Sequence, residues 1–188
     1  MSNMLLNKKE IKILGEFASD YHKGIYGREV AKGLGMNQKT VANILNQLEG
    51  EDVLKSDFEG RNKRYYLNRF NLRIKEILKM IEINRKIVFL DEHLMMKELF
   101  NKLEERVSGV LVVFGSYASG KEGKGSDLDA FVTGKVRGID ELEELWKIKI
   151  NVVKSTKGKF DKNEYFIREI IKNHIVLKGV EDFIELAW

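Results

Sequence analysis

The first 70 residues carry a hydrophobic pattern that changes from helical spacing to strand spacing. Apolar residues recur three and four positions apart in three segments, which is the spacing of helices with one buried face. The predicted helices span residues 8–18, 27–35 and 37–49. Asn37 is placed as the N-cap of the third helix. Two strand-like segments, 53–55 and 64–67, follow around a charged tip, so the pattern predicts three helices and a β-hairpin.

Residues 71–106 hold only helix-compatible sequence, with apolar residues recurring at helical spacing. The segment predicts one long helix or two helices end to end, with a break near Asp91, a candidate N-cap. Such a connector could pair with its copy in a dimer or pack on its own domains, and the sequence leaves both open.

Beyond residue 108, strand-like and helix-like segments alternate. Strands are predicted at residues 110–114, 128–132 and 145–153. Helices are predicted at residues 139–145, 162–173 and 180–186. We therefore expect an α+β protein with an N-terminal domain over residues 1–70, a helical linker over 71–107 and a small mixed α/β domain over 108–188.

The amino-acid composition limits the cellular location and the partners that we expect for the protein. The chain contains no cysteine, which excludes disulfides, zinc ribbons and thiol nucleophiles and makes an intracellular location the default. No apolar run approaches the roughly 20 residues that span a bilayer. Residues 1–7 lack the pattern of a secretory signal, so we expect a cytoplasmic protein without a membrane partner. Residues 1–70 hold 12 Lys and Arg against 9 Asp and Glu, so most of the net charge of +4 lies there and permits a nucleic-acid partner.

The exposed face of the predicted third helix is polar, as a helix in the major groove of DNA requires. Gln38 and Asn43 are candidate base readers, because Asn and Gln side chains form paired hydrogen bonds with adenine. The candidate phosphate contacts are Arg28, Lys39, Arg61, Lys63 and Arg64. The alternatives are a merely solvated helix face, or a surface that contacts another protein.

Residues 28–49, followed by the basic hairpin, resemble the helix-turn-helix of bacterial and archaeal winged-helix transcription regulators. The resemblance covers roughly residues 8–70. It implies a winged-helix fold, double-stranded DNA as a partner and a role in transcription regulation. A homodimer is the ordinary expectation for such regulators.

A glycine-rich loop and two carboxylates form the sharpest local pattern. Glycines after a buried strand let backbone N–H groups approach a triphosphate, and hydroxyl or lysine side chains add donors and charge. The candidate nucleotide-binding residues are Gly115, Ser116, Gly120, Lys121, Lys124 and Ser126. Asp127 and Asp129 are two apart on a predicted strand, so their side chains share a face and could hold magnesium. In a two-metal site such ions bridge nucleotide phosphates and activate a hydroxyl, so both residues are also candidate catalytic residues.

The segment 115–129 closely resembles the signature of the minimal nucleotidyltransferases, a branch of the DNA polymerase beta superfamily. The similarity extends over about residues 108–180. It implies transfer of a nucleoside monophosphate from a nucleoside triphosphate to a hydroxyl acceptor with magnesium of the two-metal type. Some members of this branch are antitoxins, which adds a helical toxin-type protein as a partner to consider.

One position departs from that family. Its enzymes usually carry a third acidic residue on a later strand, and the matching position here holds Asn151. Asparagine is a poorer magnesium ligand and cannot serve as a general base. The acids that could substitute are Asp140, Glu144, Asp161 and Glu164. The sequence therefore predicts either a DNA-binding nucleotidyltransferase or a winged-helix regulator whose catalytically degenerate domain senses a nucleotide or a partner protein.

Overall fold

A computed structural model describes residues 6–188. The chain divides into two compact units, a first unit over Met1–Ile81 and a second unit over Glu82–Trp188. Among residues 6–188, helices and strands are mixed and each unit contains one small sheet. Over the described residues, no helix combines the length and the apolar character needed to cross a bilayer. The division into domains 1–70, 71–107 and 108–188 stays a prediction.

Three helices form at the predicted places in the first unit. They are α1 (Lys8–Gly15), α2 (Gly27–Gly33) and α3 (Gln38–Gly50). Asn7 begins α1 with a capping box shared with Glu10. The Asn37 side chain accepts hydrogen bonds from the backbone N–H groups of Lys39 and Thr40 at 2.9 and 3.3 Å, so the predicted N-cap is confirmed.

The first unit also contains a three-stranded antiparallel sheet. Its strands are β1 (Ile25–Tyr26), β2 (Leu54–Glu59) and β3 (Asn62–Leu67), in the order β1-β3-β2. The predicted hairpin exists, but its strands extend through the charged tip to a tight turn at Gly60, where φ is +63°. The hairpin is therefore longer than the sequence pattern indicates.

The core of the first unit joins its helices to the hairpin. The side chains of Leu14, Phe17, Leu45 and Leu48 are fully buried, and Leu54 is almost so. These are the apolar positions that the helical spacing assigns to the inner face. The opposite face of α3 is consequently left to solvent.

The helical connector is divided as predicted. Helix α4 spans Ile74–Glu92, a short 3₁₀ turn covers Leu94–Met96, and α5 spans Lys97–Arg106. The break near Asp91 is confirmed, but Asp91 lies inside the last turn of α4 and is not an N-cap. Met96 occupies the N-cap of α5 without a side-chain hydrogen bond, so the predicted cap was wrong.

A four-stranded sheet forms the centre of the second unit. Its strands are β4 (Val110–Phe114), β5 (Leu128–Thr133), β6 (Ile150–Ser155) and β7 (His174–Lys178), in the order β6-β5-β4-β7. Only the β5–β6 pair is parallel among these strands. The predicted strand at 145–153 begins late, because Leu145 and Trp146 complete a helix. The strand at 174–178 has no counterpart among the predicted strands.

Helices cover both faces of this sheet. After the single turn α6 (Gly115–Ala118) come α7 (Ile139–Trp146), α8 (Tyr165–Lys172) and α9 (Val180–Ala187). One sheet face packs Leu128, Ala130 and Val132 into a core with α5 and α7. The opposite face carries Phe131, which is also buried, and helices α8 and α9 contact this face at Phe114 and His174. Side chains alternate along β5, so Asp129 emerges on this second face.

Candidate nucleotide site

The two predicted carboxylates lie side by side at the start of β5. Asp127 precedes the strand and Asp129 is its second residue, so both side chains point to the same face. Asn151 stands directly opposite Asp129 on the parallel strand β6. Its amide Nδ2 donates to Asp129 Oδ1 at 3.0 Å and lies 3.3 Å from Asp127 Oδ2. The position predicted for a third carboxylate is therefore at the site, and an amide occupies it.

The loop after β4 fits closely against Asp129. Gly115 begins α6 with φ +72°, a conformation that favours glycine. A Cβ atom placed on Gly115 would lie 2.5 Å from Asp129 Oδ2. Position 115 therefore requires glycine for two reasons: its backbone conformation, and the space that the Asp129 carboxylate occupies.

The remaining predicted nucleotide-binding residues continue this loop. Ser116 is half-buried within α6, and its carbonyl accepts a hydrogen bond from the backbone N–H of Lys121 at 2.9 Å. Ser126 is also half-buried, and its hydroxyl accepts from the backbone N–H of Gly123 at 2.9 Å. Gly120, with φ +63°, Lys121 and Lys124 are exposed. The structure thus brings Gly115 against the carboxylates and leaves the two lysines at the surface of the loop.

Sequence reasoning missed a lysine at the site. Lys149 precedes β6, and its Nζ lies 3.9 Å from Asp127 Oδ2. Its carbonyl also accepts the backbone N–H of Leu128, which ties the entry of β6 to that of β5. No motif marks this residue, since its position follows from pairing of two strands some 20 residues apart.

A second missed contact holds the loop between α6 and β5. Glu122 Oε1 lies 3.1 Å from His93 Nε2, while His93 Nδ1 lies 2.7 Å from the Phe89 carbonyl. The His93 ring packs near Tyr117, with ring centroids 5.8 Å apart. Burial, and to a lesser extent the charge of Glu122, raises the pKa of Tyr117 above its ordinary value. This contact fixes one point of the loop that leads to Asp127.

None of the substitute acids joins the carboxylate pair. Among residues 6–188 there is no group of three His, Cys, Asp or Glu side chains arranged to hold a metal ion. Asp140 and Glu144 are exposed on α7. Asp161 is exposed in the loop before α8, and Glu164 is the N-cap of α8. The acidic part of the site consists of Asp127 and Asp129.

The first unit presents most of the predicted DNA-contacting residues to solvent. Arg28 on α2 is exposed, as are Gln38, Lys39 and Asn43 on α3. Arg61 is exposed at the tip of the hairpin. These five side chains are accessible to a partner.

Lys63 is instead engaged with α3. Its Nζ lies 2.5 Å from Glu49 Oε2 and 3.0 Å from Asn46 Oδ1. The hydrogen bond from Lys63, with a second from Ser56, lowers the pKa of Glu49, and Glu49 in turn raises the pKa of Lys63. Lys63 therefore anchors the hairpin to the helix, and a phosphate would compete with Glu49 for it.

Arg64 is also partly enclosed. Its guanidinium lies 5.6 and 5.4 Å from the ring centroids of Tyr26 and Tyr66, and Nη1 is 3.6 Å from Glu59 Oε2. A Cβ atom on Gly24 would collide with its side chain. The first unit thus brings together an exposed polar face on α3 and a hairpin whose tip carries the exposed Arg61.

Comparison with known proteins agrees with the geometry of the second unit. The nucleotidyltransferase domain family matches residues 96–183, a segment that contains Gly115, Asp127 and Asp129. Residues 96–183 therefore carry a nucleotidyltransferase domain. No curated protein matches the chain.

One solved structure that matches is the PcaV transcriptional regulator from Streptomyces coelicolor in complex with its natural ligand. It is 19% identical, and the match covers 53% of this chain and 75% of that chain with a TM-score of 0.38. A likeness at this level carries no argument about the present chain.

Proposed function

We propose that the protein binds DNA through its first unit and transfers a nucleoside monophosphate from a nucleoside triphosphate to a hydroxyl acceptor through its second unit. The observation that carries the transferase assignment is the fit of the Asp129 carboxylate against Gly115, with Asp127 beside it. This fit joins a loop suited to phosphates to a carboxylate pair suited to a divalent cation. The match of residues 96–183 to nucleotidyltransferase domains supports it.

The donor set suits one magnesium ion. Asp127 and Asp129 each place an oxygen within 3.3 Å of the Asn151 amide nitrogen, so both carboxylates reach a common point. Magnesium in nucleotide sites is typically held by one or two carboxylates together with substrate phosphates. Bound there, it would neutralise charge on the phosphates and on the leaving pyrophosphate. Asn151 supplies an amide where a two-metal site needs a further carboxylate, so the arrangement does not fit a second ion.

The remaining residues of the site have roles that follow from their chemistry. Backbone N–H groups of the loop after Gly115 and the Ser116 hydroxyl are suited to bind phosphate oxygens. Lys149, 3.9 Å from Asp127, and the exposed Lys121 and Lys124 add positive charge around the site. Asn151 cannot accept a proton, so the acceptor hydroxyl would lose its proton to another group.

Asn151 favours a second candidate function. If the missing carboxylate prevents transfer, the domain would bind nucleotide and report its presence, and the protein would be a DNA-binding regulator with a catalytically degenerate domain. The two hydrogen-bonding contacts of the Asn151 amide support this, because they hold the carboxylates in place without any cation. Nucleotide binding is common to both candidates, and turnover separates them.

For the first unit we propose a winged helix that reads double-stranded DNA and regulates transcription. Helix α3 would enter the major groove, with Gln38 and Asn43 contacting bases and Lys39 contacting phosphate. Arg28 and Arg61 are exposed and suited to phosphates, whereas Lys63 and Arg64 are partly engaged within the unit. The homodimer and the helical toxin-type partner stay predictions.

Turnover is the decisive test of the second unit. The purified protein is incubated with magnesium and each labelled nucleoside triphosphate, with and without host lysate, and pyrophosphate and labelled products are measured. The comparison variant is Asp127→Asn with Asp129→Asn, and the control is Glu98→Gln with Glu105→Gln, which removes two exposed carboxylates of α5. If pyrophosphate release is lost only in the Asp127→Asn, Asp129→Asn variant, the protein is a transferase, and the labelled product identifies the acceptor.

Two other outcomes have definite meanings. Nucleotide binding that depends on Asp127 and Asp129, without turnover, establishes the regulator with a degenerate domain. Binding and turnover that are equal in all three proteins would refute the assignment of this site.

A further inference from the structure

Two aromatic side chains lie next to the carboxylates. Phe114, the last residue of β4, is the register partner of Asp129 on β5. Directly opposite residues of antiparallel strands project to the same face, with Cβ atoms about 5 Å apart. The Phe114 ring is therefore the neighbour of the Asp129 carboxylate, on the side of the site away from Asn151.

The second aromatic residue, Phe166, lies on α8 and contacts the first. Its ring centroid is 5.8 Å from that of Phe114, and the two rings are nearly perpendicular at 88°. This edge-to-face arrangement is favourable for aromatic pairs and fixes the orientation of the Phe166 ring. Yet 43% of Phe166 remains exposed. Single exposed apolar side chains are common, so the exposure of Phe166 alone does not indicate a binding surface. Its contact with Phe114, which lies beside the carboxylates, is what points to one.

We propose that Phe166 is the platform on which the nucleobase of the bound nucleoside triphosphate stacks, with Phe114 holding its ring in place. The inference rests on the proposed function, because it assumes that phosphates bind at Gly115 and at the Asp127–Asp129 pair. A nucleotide carries its base one ribose away from its phosphates, so a base-binding surface must adjoin the phosphate site. Phe114 adjoins Asp129 on one side and Phe166 on the other.

The chemistry of stacking determines which nucleotides would bind. Every base offers a π-face, so an aromatic platform accepts all four bases, and the larger purines cover more of its surface. We therefore expect purine nucleoside triphosphates to bind more tightly than pyrimidine ones. A triphosphate without a base would lose the contribution of Phe166 altogether.

The test compares ligands with and without a base. Dissociation constants are measured in magnesium for ATP, CTP and inorganic tripolyphosphate, with the wild type, Phe166→Leu and Phe166→Trp. Leucine keeps apolar bulk and removes the ring, whereas tryptophan keeps a ring. Leu145→Ala, which truncates a 66% exposed side chain on α7, is the control for loss of an exposed apolar group.

We expect Phe166→Leu to weaken ATP binding about 5- to 150-fold, the range that corresponds to loss of one stacked base. Tripolyphosphate affinity should not change, and Phe166→Trp should retain ATP affinity. Unchanged ATP affinity in Phe166→Leu, or an equal loss of tripolyphosphate affinity, would overturn the platform and leave the proposed function standing. A wild-type protein that binds neither ATP nor tripolyphosphate would overturn the proposed function, and the platform with it.

Discussion

Substitution of Gly115 tests how the loop and the carboxylates depend on each other. Gly115 has φ +72°, and a Cβ atom there would lie 2.5 Å from Asp129 Oδ2 and 3.4 Å from its Cγ. The approach to the oxygen is about 1 Å inside ordinary van der Waals contact. Gly115→Ala should therefore strain the backbone and displace the carboxylate.

The two effects have separate magnitudes. An L-residue in the left-handed region costs about 1–2 kcal/mol. Displacing Asp129 weakens its 3.0 Å hydrogen bond from Asn151, which we take as about 1 kcal/mol because the carboxylate is only half-buried. Gly115→Ala should thus lower the free energy of unfolding by about 2–3 kcal/mol. Gly120→Ala has the same strain at φ +63° with no atom within 4 Å of its Cβ, and should lower it by about 1–2 kcal/mol.

Denaturant unfolding followed by tryptophan fluorescence measures these values. Trp146 and Trp188 are the only tryptophans of the chain and both lie in the second unit, so the signal reports the unfolding of that unit. A double-mutant cycle with Asp129→Ala isolates the clash, because removing the carboxylate should recover about 1 kcal/mol in Gly115→Ala and nothing in Gly120→Ala. Equal losses in both glycine variants, with no coupling to Asp129, would refute the reasoning.

Three further predictions concern the carboxylate pair and the hairpin. Asn151→Asp should lower stability in EDTA, because three carboxylates would then crowd together, and should raise magnesium affinity and any transfer rate. Arg61→Ala with Lys63→Ala should weaken DNA binding and reduce its salt slope by about 1–2 units. The hydrogen bond from Lys63 lowers the pKa of Glu49 from 4.5. The Lys63–Glu49 contact should therefore stabilise the fold above pH 4.5, and this stabilisation should be lost as the pH falls through the lowered pKa. Circular dichroism of the wild type and of Glu49→Gln as a function of pH would measure the loss.

Each of these predictions has a result that contradicts it. Magnesium affinity that is unchanged in Asn151→Asp would show that residue 151 does not contribute to the cation site. An unchanged salt slope would remove the hairpin from the DNA interface. Equal acid sensitivity in Glu49→Gln would show that the contact contributes no measurable stability.

The carboxylate pair could be predicted from sequence because its geometry is local. A spacing of two residues on a strand places Asp127 and Asp129 on one face whatever the rest of the chain does. The position of Asn151 could be predicted because residues 145–153 already indicate a strand and the resemblance indicated that this strand was the one to compare. Lys149 and Phe166 could not be predicted in this way, since strand pairing and helix packing bring them to the site.

Short strands, and charged side chains that pair within the fold, are also difficult to predict from sequence alone. Strand β1 has only two residues, which is too few to show a period, and a single residue lies between α8 and β7, so no turn signal separates the apolar residues of β7 from the helix. Lys63 was predicted as a free phosphate contact, but the extended hairpin brings it to Glu49 on α3. A charge that sequence assigns to a partner can thus be used within the fold, and of Arg61, Lys63 and Arg64 only Arg61 is exposed.

Asn151 links the stability of the site to its chemistry. A carboxylate at this position would stand within about 3 Å of two others and would need a cation to offset their repulsion. The amide instead donates hydrogen bonds toward both Asp127 and Asp129, so the pair is oriented before any cation or nucleotide arrives. Asparagine in place of a carboxylate at position 151 also removes a metal ligand and a proton acceptor. Residue 151 therefore affects cation binding as a ligand, and it affects transfer both as a ligand and as a proton acceptor. The ratio of turnover to binding, compared between Asn151→Asp and the wild type, is thus the quantity that distinguishes the two candidate functions.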